Sequence, residues 1–364
     1  MKDNTKWLGN KTPLTSLRLI LVTLLFCAPV FSQHLTVESN PIAKPSRRLD
    51  VRVNHLTALS NLIRKYSTST DELPKDLDSF AQTVNLARQV SKEFGGWNSP
   101  AWSAIEIAFS KLDSTSAAFK VAGELPESIT SRRGTKIPLR DGARRYADAL
   151  MQVEGFYLKN IWPEHRAIIQ EAEKYITQKF APKEKEVFAY FTANLGIEDV
   201  QSQVPVFLVP AAPWPGGFTL WHSDERIIVI SVEDHKGSTL LETLLHEAIH
   251  ALDVESKGKN NVLVEVHNRL LKAGLTDQDQ AVRHGPHWLV FIQAGETVRR
   301  FLDISHQHYG QELYIRLQRM SRSDVLAIWT AFLDGKLSRT DAVNEIVAGF
   351  LKAHAEGAPQ RTLP

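Results

Sequence analysis

Between Thr239 and Asp253 the chain reads Thr-Leu-Leu-Glu-Thr-Leu-Leu-His-Glu-Ala-Ile-His-Ala-Leu-Asp, a run that a fold can accommodate only by burying it. Leu240, Leu241, Leu244, Leu245, Ala248, Ile249 and Leu252 cover most of the girth of a helix. Such a helix belongs inside a protein rather than on it. The polar stripe that remains holds Glu242, His246, His250 and Asp253. His246 and His250 stand four residues apart, so one lies above the other on the helix face, where two imidazoles can grip a single metal ion. Glu247 completes an HExxH pattern and projects beside that ion, within reach of a water. A surface helix with two solvated histidines is the alternative, and the apolar girth opposes it.

Thr239 and Glu242 have the spacing of a capping box, with Gly237 and Ser238 just before, which gives Glu242 a role at the helix start. Asp253 lies one turn past His250. It is placed to accept the second ring N–H of His250 and fix its tautomer, or else to sit in solvent near the helix end.

The N-terminus reads as a secretory signal over residues 1–32. Lys2, Lys6, Lys11 and Arg18 precede the apolar run Leu19–Phe26, and Ala28-Pro-Val-Phe-Ser-Gln33 offers small residues for cleavage near Ser32. The apolar run is short for a bilayer and Pro29 interrupts it, so no stable membrane span is expected after cleavage; an uncleaved anchor is the alternative. Cys27 lacks the small residue before it that lipidation requires. Residues 1–32 carry Lys2, Lys6, Lys11, Arg18 and Asp3, so their removal leaves 39 basic and 40 acidic side chains of the original 43 and 41. That balance supplies no attraction to nucleic acid or anionic lipid. Cys27 is the one cysteine in the chain. The mature protein therefore has no disulfide, and any zinc must be held by His, Asp or Glu. A periplasmic or secreted location fits a disulfide-free exported chain.

Residues 33–50, with Pro41 and Pro45, read as a flexible lead-in. Residues 51–200 read as a helical domain, with helices expected at Leu56–Lys65, Leu77–Phe94, Ala101–Lys111, Ala143–Trp162, His165–Phe180 and Lys183–Leu195. Gly123–Asp141 is polar and turn-rich, and Trp97 and Trp102 read as core plugs, ligand platforms being the alternative. The pattern changes near Val204. Val204–Val209, Phe218–His222 and Arg226–Ser231 read as strands, the last two joined by a turn around Ser223-Asp224-Glu225, and Pro205 suits an edge or early strand position. Residues 201–304 thus form the expected metal-binding core. It runs on through a helix at Asn260–Ala273, whose Glu265 and His267 read as surface residues, the polar stretch Thr276–Gly285, and a helix at Pro286–Asp303. Residues 305–364 read as a C-terminal helical region, helical from Leu313 to His354. The fold class is α+β and mostly helical.

A catalytic zinc usually takes three protein ligands. His287, His284 and Glu296 are the candidates for the third. Glu296 is nine residues past His287, about half a turn away on a straight helix, so the two cannot readily share one metal. His284-Gly-Pro-His287-Trp resembles the HGxx(F/W) element of SprT-like metallopeptidases, and His287, Phe291, Gly295 and Glu296 resemble an H-x-x-x-F-x-x-x-G-E segment of bacterial HExxH proteins of unassigned function. A small sheet leading into an HExxH helix is similar to the active-site layout of zincin metallopeptidases. These resemblances cover the zinc-site elements only.

They imply a zincin-like core with a small β-sheet on the HExxH helix, a Zn²⁺ cofactor and a peptide or protein substrate. They also imply an edge strand that pairs with extended substrate. Gly216-Gly217 and Phe218–Trp221 are the candidates for that edge, an ordinary hairpin being the alternative. The expected reaction is hydrolysis of a peptide bond with Glu247 as general base. Tyr309, or a histidine of Ser305-His-Gln-His-Tyr309, is a candidate oxyanion donor. A non-catalytic zinc- or ligand-binding helical envelope protein is the second reading. No Gly-x-Ser-x-Gly elbow suggests a serine nucleophile.

Overall fold

Four consecutive apolar residues, Ile227 to Ile230, cannot all face one core from a strand, because neighbouring side chains point to opposite faces. The computed structural model describes residues 48–69, 73–131, 134–198, 203–253, 260–309 and 324–356, and in it both faces are covered. Strand β6 (Glu225–Ser231) lies in a four-stranded sheet of order β1–β4–β6–β5, with β1 at Leu49–Arg52, β4 at Val204–Val209 and β5 at Gly217–His222. β1, β4 and β6 run parallel, whereas β5 is antiparallel to β6 and forms one edge. The β5–β6 hairpin turns at Ser223-Asp224, with Ser223 left-handed at φ 54°.

The two faces carry separate cores. Val206, Leu208, Ile228 and Ile230 pack into one of them, with α6 (Trp162–Lys179), α7 (Glu184–Leu195), α8 (Ser238–Asp253), α9 (Val262–Lys272), α10 (Gln280–Phe301), α11 (Val325–Leu333) and α12 (Arg339–Ala355). Phe207, Val209, Ile227 and Val229 pack into the other, with α1 (His55–Thr68), α2 (Ala81–Glu93), α3 (Pro100–Phe109), α4 (Thr115–Glu124) and α5 (Arg140–Asn160). The stretch 51–200 therefore divides, α1 to α5 on one face and α6 and α7 on the other. The fold is α+β and mostly helical, around a small mixed sheet.

Several elements differ from expectation. Leu49–Arg52 is a strand, not the end of a lead-in or the start of a helical stretch. It pairs with β4 in the register Leu49↔Val204, and the Glu184 carboxylate at the start of α7 accepts from the Arg48 and Leu49 N–H groups at 2.8 and 3.1 Å. Those bonds blunt an edge that would otherwise offer unpaired donors. Pro205 takes the expected early position, second in β4, though in an inner strand rather than an edge, ahead of Val206, the first β4 residue in register with β6. Helix α4 was not anticipated. Within the turn-rich Gly123–Asp141 stretch, β2 (Ser128–Thr130) and β3 (Lys136–Pro138) form a short hairpin. Helix α10 begins at Gln280, so the expected polar stretch ends inside a helix that continues through Pro286 at the loss of one backbone donor. The signal reading over 1–32 and residues 313–323 of the C-terminal helical reading lie outside the described residues. Among the described residues, no helix is long and apolar enough to cross a membrane.

Candidate metal centre

Helix α8 lies against β5, β6 and α10 and carries the HExxH residues inward; His246 and Glu247 are each 6% exposed. Its neighbour α10 presents His287 to the same point. The His246 Nε2 atom lies 3.0 Å from His287 Nε2 and 3.1 Å from His250 Nε2, and one nitrogen from each ring falls within 4.8 Å of the others. Three nitrogens bound tetrahedrally at the usual zinc distance of 2.0–2.1 Å would be about 3.3–3.4 Å apart, so this cluster fits a metal ion. The Phe291 ring, one turn beyond His287, closes one side at 4.0 Å from the His246 ring centre and 4.9 Å from that of His287. Burial, reinforced by the neighbouring histidines, drives His246 well below its ordinary pKa and His287 to about 3; burial alone takes His250 to about 4. All three imidazoles are then neutral at physiological pH, as metal ligation requires. The Nδ1 atom of His246 is buried without a hydrogen-bond partner among the described residues.

The other two candidates for the third position are placed elsewhere. His284 lies three residues before His287 on α10, outside the converging cluster. Glu296 is held by other partners. Its carboxylate accepts from Arg299 Nε at 2.9 Å and Arg300 Nε at 3.0 Å, and lies 3.2 Å from His308 Nε2. The H-x-x-x-F-x-x-x-G-E spacing acquires a physical meaning here. His287 joins the cluster, Phe291 walls it, and Gly295 lets His308 approach, since a Cβ there would stand 2.8 Å from the His308 ring. Glu296 then receives His308.

Glu247 is set by the edge strand. The Thr219 hydroxyl of β5 lies 2.8 Å from Glu247 Oε2 and 2.9 Å from the Glu247 carbonyl oxygen. The other oxygen, Oε1, stands 4.0 Å from His246 Nε2. Burial raises the Glu247 carboxyl to about 7, against the bonds from Thr219, which pull it down. Gly217 permits this approach, because a Cβ there would meet Thr243 Cγ2 at 2.4 Å. Thr243 Oγ1 in turn lies 3.2 Å from Nδ1 of the buried His235, whose Nε2 lies 3.1 Å from the Pro215 carbonyl oxygen. Thr219 and His235 were not singled out from sequence. A threonine in a strand and a histidine in a turn carry no local signal of contact with a helix that follows them.

Two further expectations are corrected. Glu242 does not close a capping box. Thr239 Oγ1 instead donates to the Lys236 carbonyl and accepts from the Lys236 N–H. Glu242 points inward, where its carboxylate lies 2.7 Å from His306 Nε2 and accepts the Tyr309 N–H at 2.7 Å. That clamp fastens the 303–309 segment to α8. Asp253 accepts from Asn261 Nδ2 at the start of α9 rather than serving His250. Tyr309 stacks edge-on to His235, ring centres 5.1 Å apart. It lines, with Thr219 and Gly216, a groove of about 1470 Å³ along the outer edge of β5.

Comparison with family models, curated proteins and solved structures found no match to this chain.

Proposed function

We propose that the protein is a zinc-dependent peptide-bond hydrolase, a metallopeptidase of zincin type whose signal sequence directs it to the periplasm or beyond. The observation that carries this reading is the convergence of three neutral imidazoles with a carboxylate held beside them by the edge strand. His246, His250 and His287 would hold the ion, leaving one position open. Zinc in such a site supplies Lewis acidity, making water a nucleophile near neutral pH and polarising the carbonyl under attack.

The protein's own groups perform the remaining steps. Thr219 occupies Glu247 Oε2, which leaves Oε1 to take the proton from water and return it to the leaving amine. The edge of β5, which carries no further strand among the described residues, aligns an extended peptide through main-chain hydrogen bonds, a mode that tolerates many sequences. Tyr309, at the groove wall, is the candidate donor to the oxyanion. A binding protein would need the histidines but not Glu247, and this favours the enzyme over the non-catalytic reading.

The test compares wild type with Glu247→Gln. Both should bind one zinc ion, and only wild type should cleave a peptide library. If both bind zinc and neither cleaves, the protein is not a peptidase.

A further inference from the structure

The groove along β5 has two walls: on one, Thr219 reaches Glu247 with its hydroxyl, and the other is built from the helices before the sheet. A strand laid against β5 sends alternate side chains to opposite faces of the sheet. Gly217 and Thr219 face α8 and Glu247. Phe218 and Leu220 face the opposite way and pack with the core of α1 to α5. Arg64 of α1 and Trp97 join Phe218 in the groove wall, and Lys92 and Lys136 stand exposed around it.

Arg64 is 4% exposed, yet its guanidinium is only partly engaged. It lies over the Phe218 ring at 4.5 Å and the Trp97 ring at 5.6 Å, and Nη2 donates to the Trp97 carbonyl at 3.3 Å. Nε and Nη1 are buried without a hydrogen-bond partner among the described residues. The buried acid nearby, Glu106, accepts from Ser60 Oγ at 2.9 Å and offsets the Arg64 charge through space, but bonds neither Nε nor Nη1. A guanidinium does not shed its charge, so buried unanswered N–H groups are unfavourable until a carboxylate reaches them. The acids at the groove do not answer it: Glu93 is paired with Arg145, and Asp234 is bonded to Ser231.

We propose that this wall is a specificity subsite for an acidic side chain. The substrate is a polypeptide bound along β5 with a Glu or Asp on the face away from the metal, received by Arg64 beside the Trp97 and Phe218 rings and attracted by Lys92 and Lys136. The proposal rests on the peptidase reading for the alignment of the chain, but the recognition itself is a binding event. It also gives the helices before the metal-binding core a task, as one side of the substrate groove.

The experiment measures binding by fluorescence anisotropy to the full chain carrying Glu247→Gln, with and without zinc. The probes are a labelled Val/Thr decapeptide with one central Glu and its Gln and Lys counterparts. The Glu peptide should bind about tenfold tighter than the Gln peptide, the scale of one charge-assisted hydrogen bond. Arg64→Gln should bring the two within about twofold, where each tenfold in affinity corresponds to about 1.4 kcal/mol. Equal affinities, absence of binding, or a Glu preference that survives Arg64→Gln would overturn the proposal. Should Arg64→Gln not fold, the exposed pair Lys92→Ser/Lys136→Ser decides, and an undiminished preference there overturns it. A Glu preference in binding together with no hydrolysis by zinc-loaded wild type would instead remove the peptidase reading and leave the subsite standing.

Discussion

Gly217 marks a close approach of the edge strand to the HExxH helix α8, and one added methyl group there is a severe perturbation. A Cβ at this position would stand 2.4 Å from Thr243 Cγ2. That is about 1 Å inside an ordinary carbon–carbon contact of about 3.5–4.0 Å. Thr243 has little room to turn away, since its β-branched side chain has few helix rotamers and its Oγ1 lies 3.2 Å from His235 Nδ1. Relief must come from moving β5 off α8, and overpacking of this kind costs about 1–3 kcal/mol. The same movement lengthens the 2.8 Å contact between Thr219 and Glu247. We therefore expect Gly217→Ala to lower the urea midpoint at unchanged m-value and to reduce kcat/KM on a cleaved peptide by about 10–100-fold. Thr243→Ser deletes Cγ2 and keeps the hydroxyl. Combined with Gly217→Ala it should restore most of both losses, a coupling of about 1–2 kcal/mol in a double-mutant cycle. If Gly217→Ala unfolds at the wild-type midpoint, or if Thr243→Ser restores nothing, the close-packing account is wrong.

Metal analysis should find His287→Ala unable to retain zinc, while His284→Ala and Glu296→Gln each keep one ion per chain; zinc loss in either of the latter would redraw the ligand set. Thr219→Val removes the hydroxyl at nearly constant volume, so activity should fall about 10–100-fold with zinc content unchanged. Glu296 is held below the ordinary carboxylate range by His308, Arg299 and Arg300, which outweigh its burial. Its contribution to stability is therefore complete above the unfolded value of about 4.3 and declines as pH falls below it. Urea melts should show Glu296→Gln less stable than wild type by about 1–3 kcal/mol at pH 7, with the gap closing towards pH 3; a gap that does not change with pH would contradict this ion network.

The parts that could be read from sequence are those written in local periodicity. The buried helix, the three strands before it and the inward histidines all follow from spacing within one element. Leu49–Arg52 escaped because four residues carry little pattern and their partner, β4, lies about 150 residues away. Glu242 fitted a cap by spacing, but a buried histidine from a later segment offered its carboxylate a better partner. The role of Thr219 depends on which face of a hairpin meets a helix, and that is decided by packing across the sheet. His284 and His287 are separated by less than one helical turn, so only the rotation of α10 against α8 chooses between them.

The pairing of β1 with β4 also bears on how the molecule is made. Leu49 cannot meet Val204 until the intervening helices have left the ribosome. At about 5–20 residues per second that interval is on the order of ten seconds or more. Throughout it the inner strand of the sheet does not exist, and the core of α1 to α5 lacks the Phe207 and Val209 side chains that close it. Closing so long a loop is entropically unfavourable and slows the search for native contacts. The final sheet therefore forms late, after α1 to α7 have had time to form, and the HExxH helix α8, which follows β6 in the chain, is delivered onto a surface that has only just been completed.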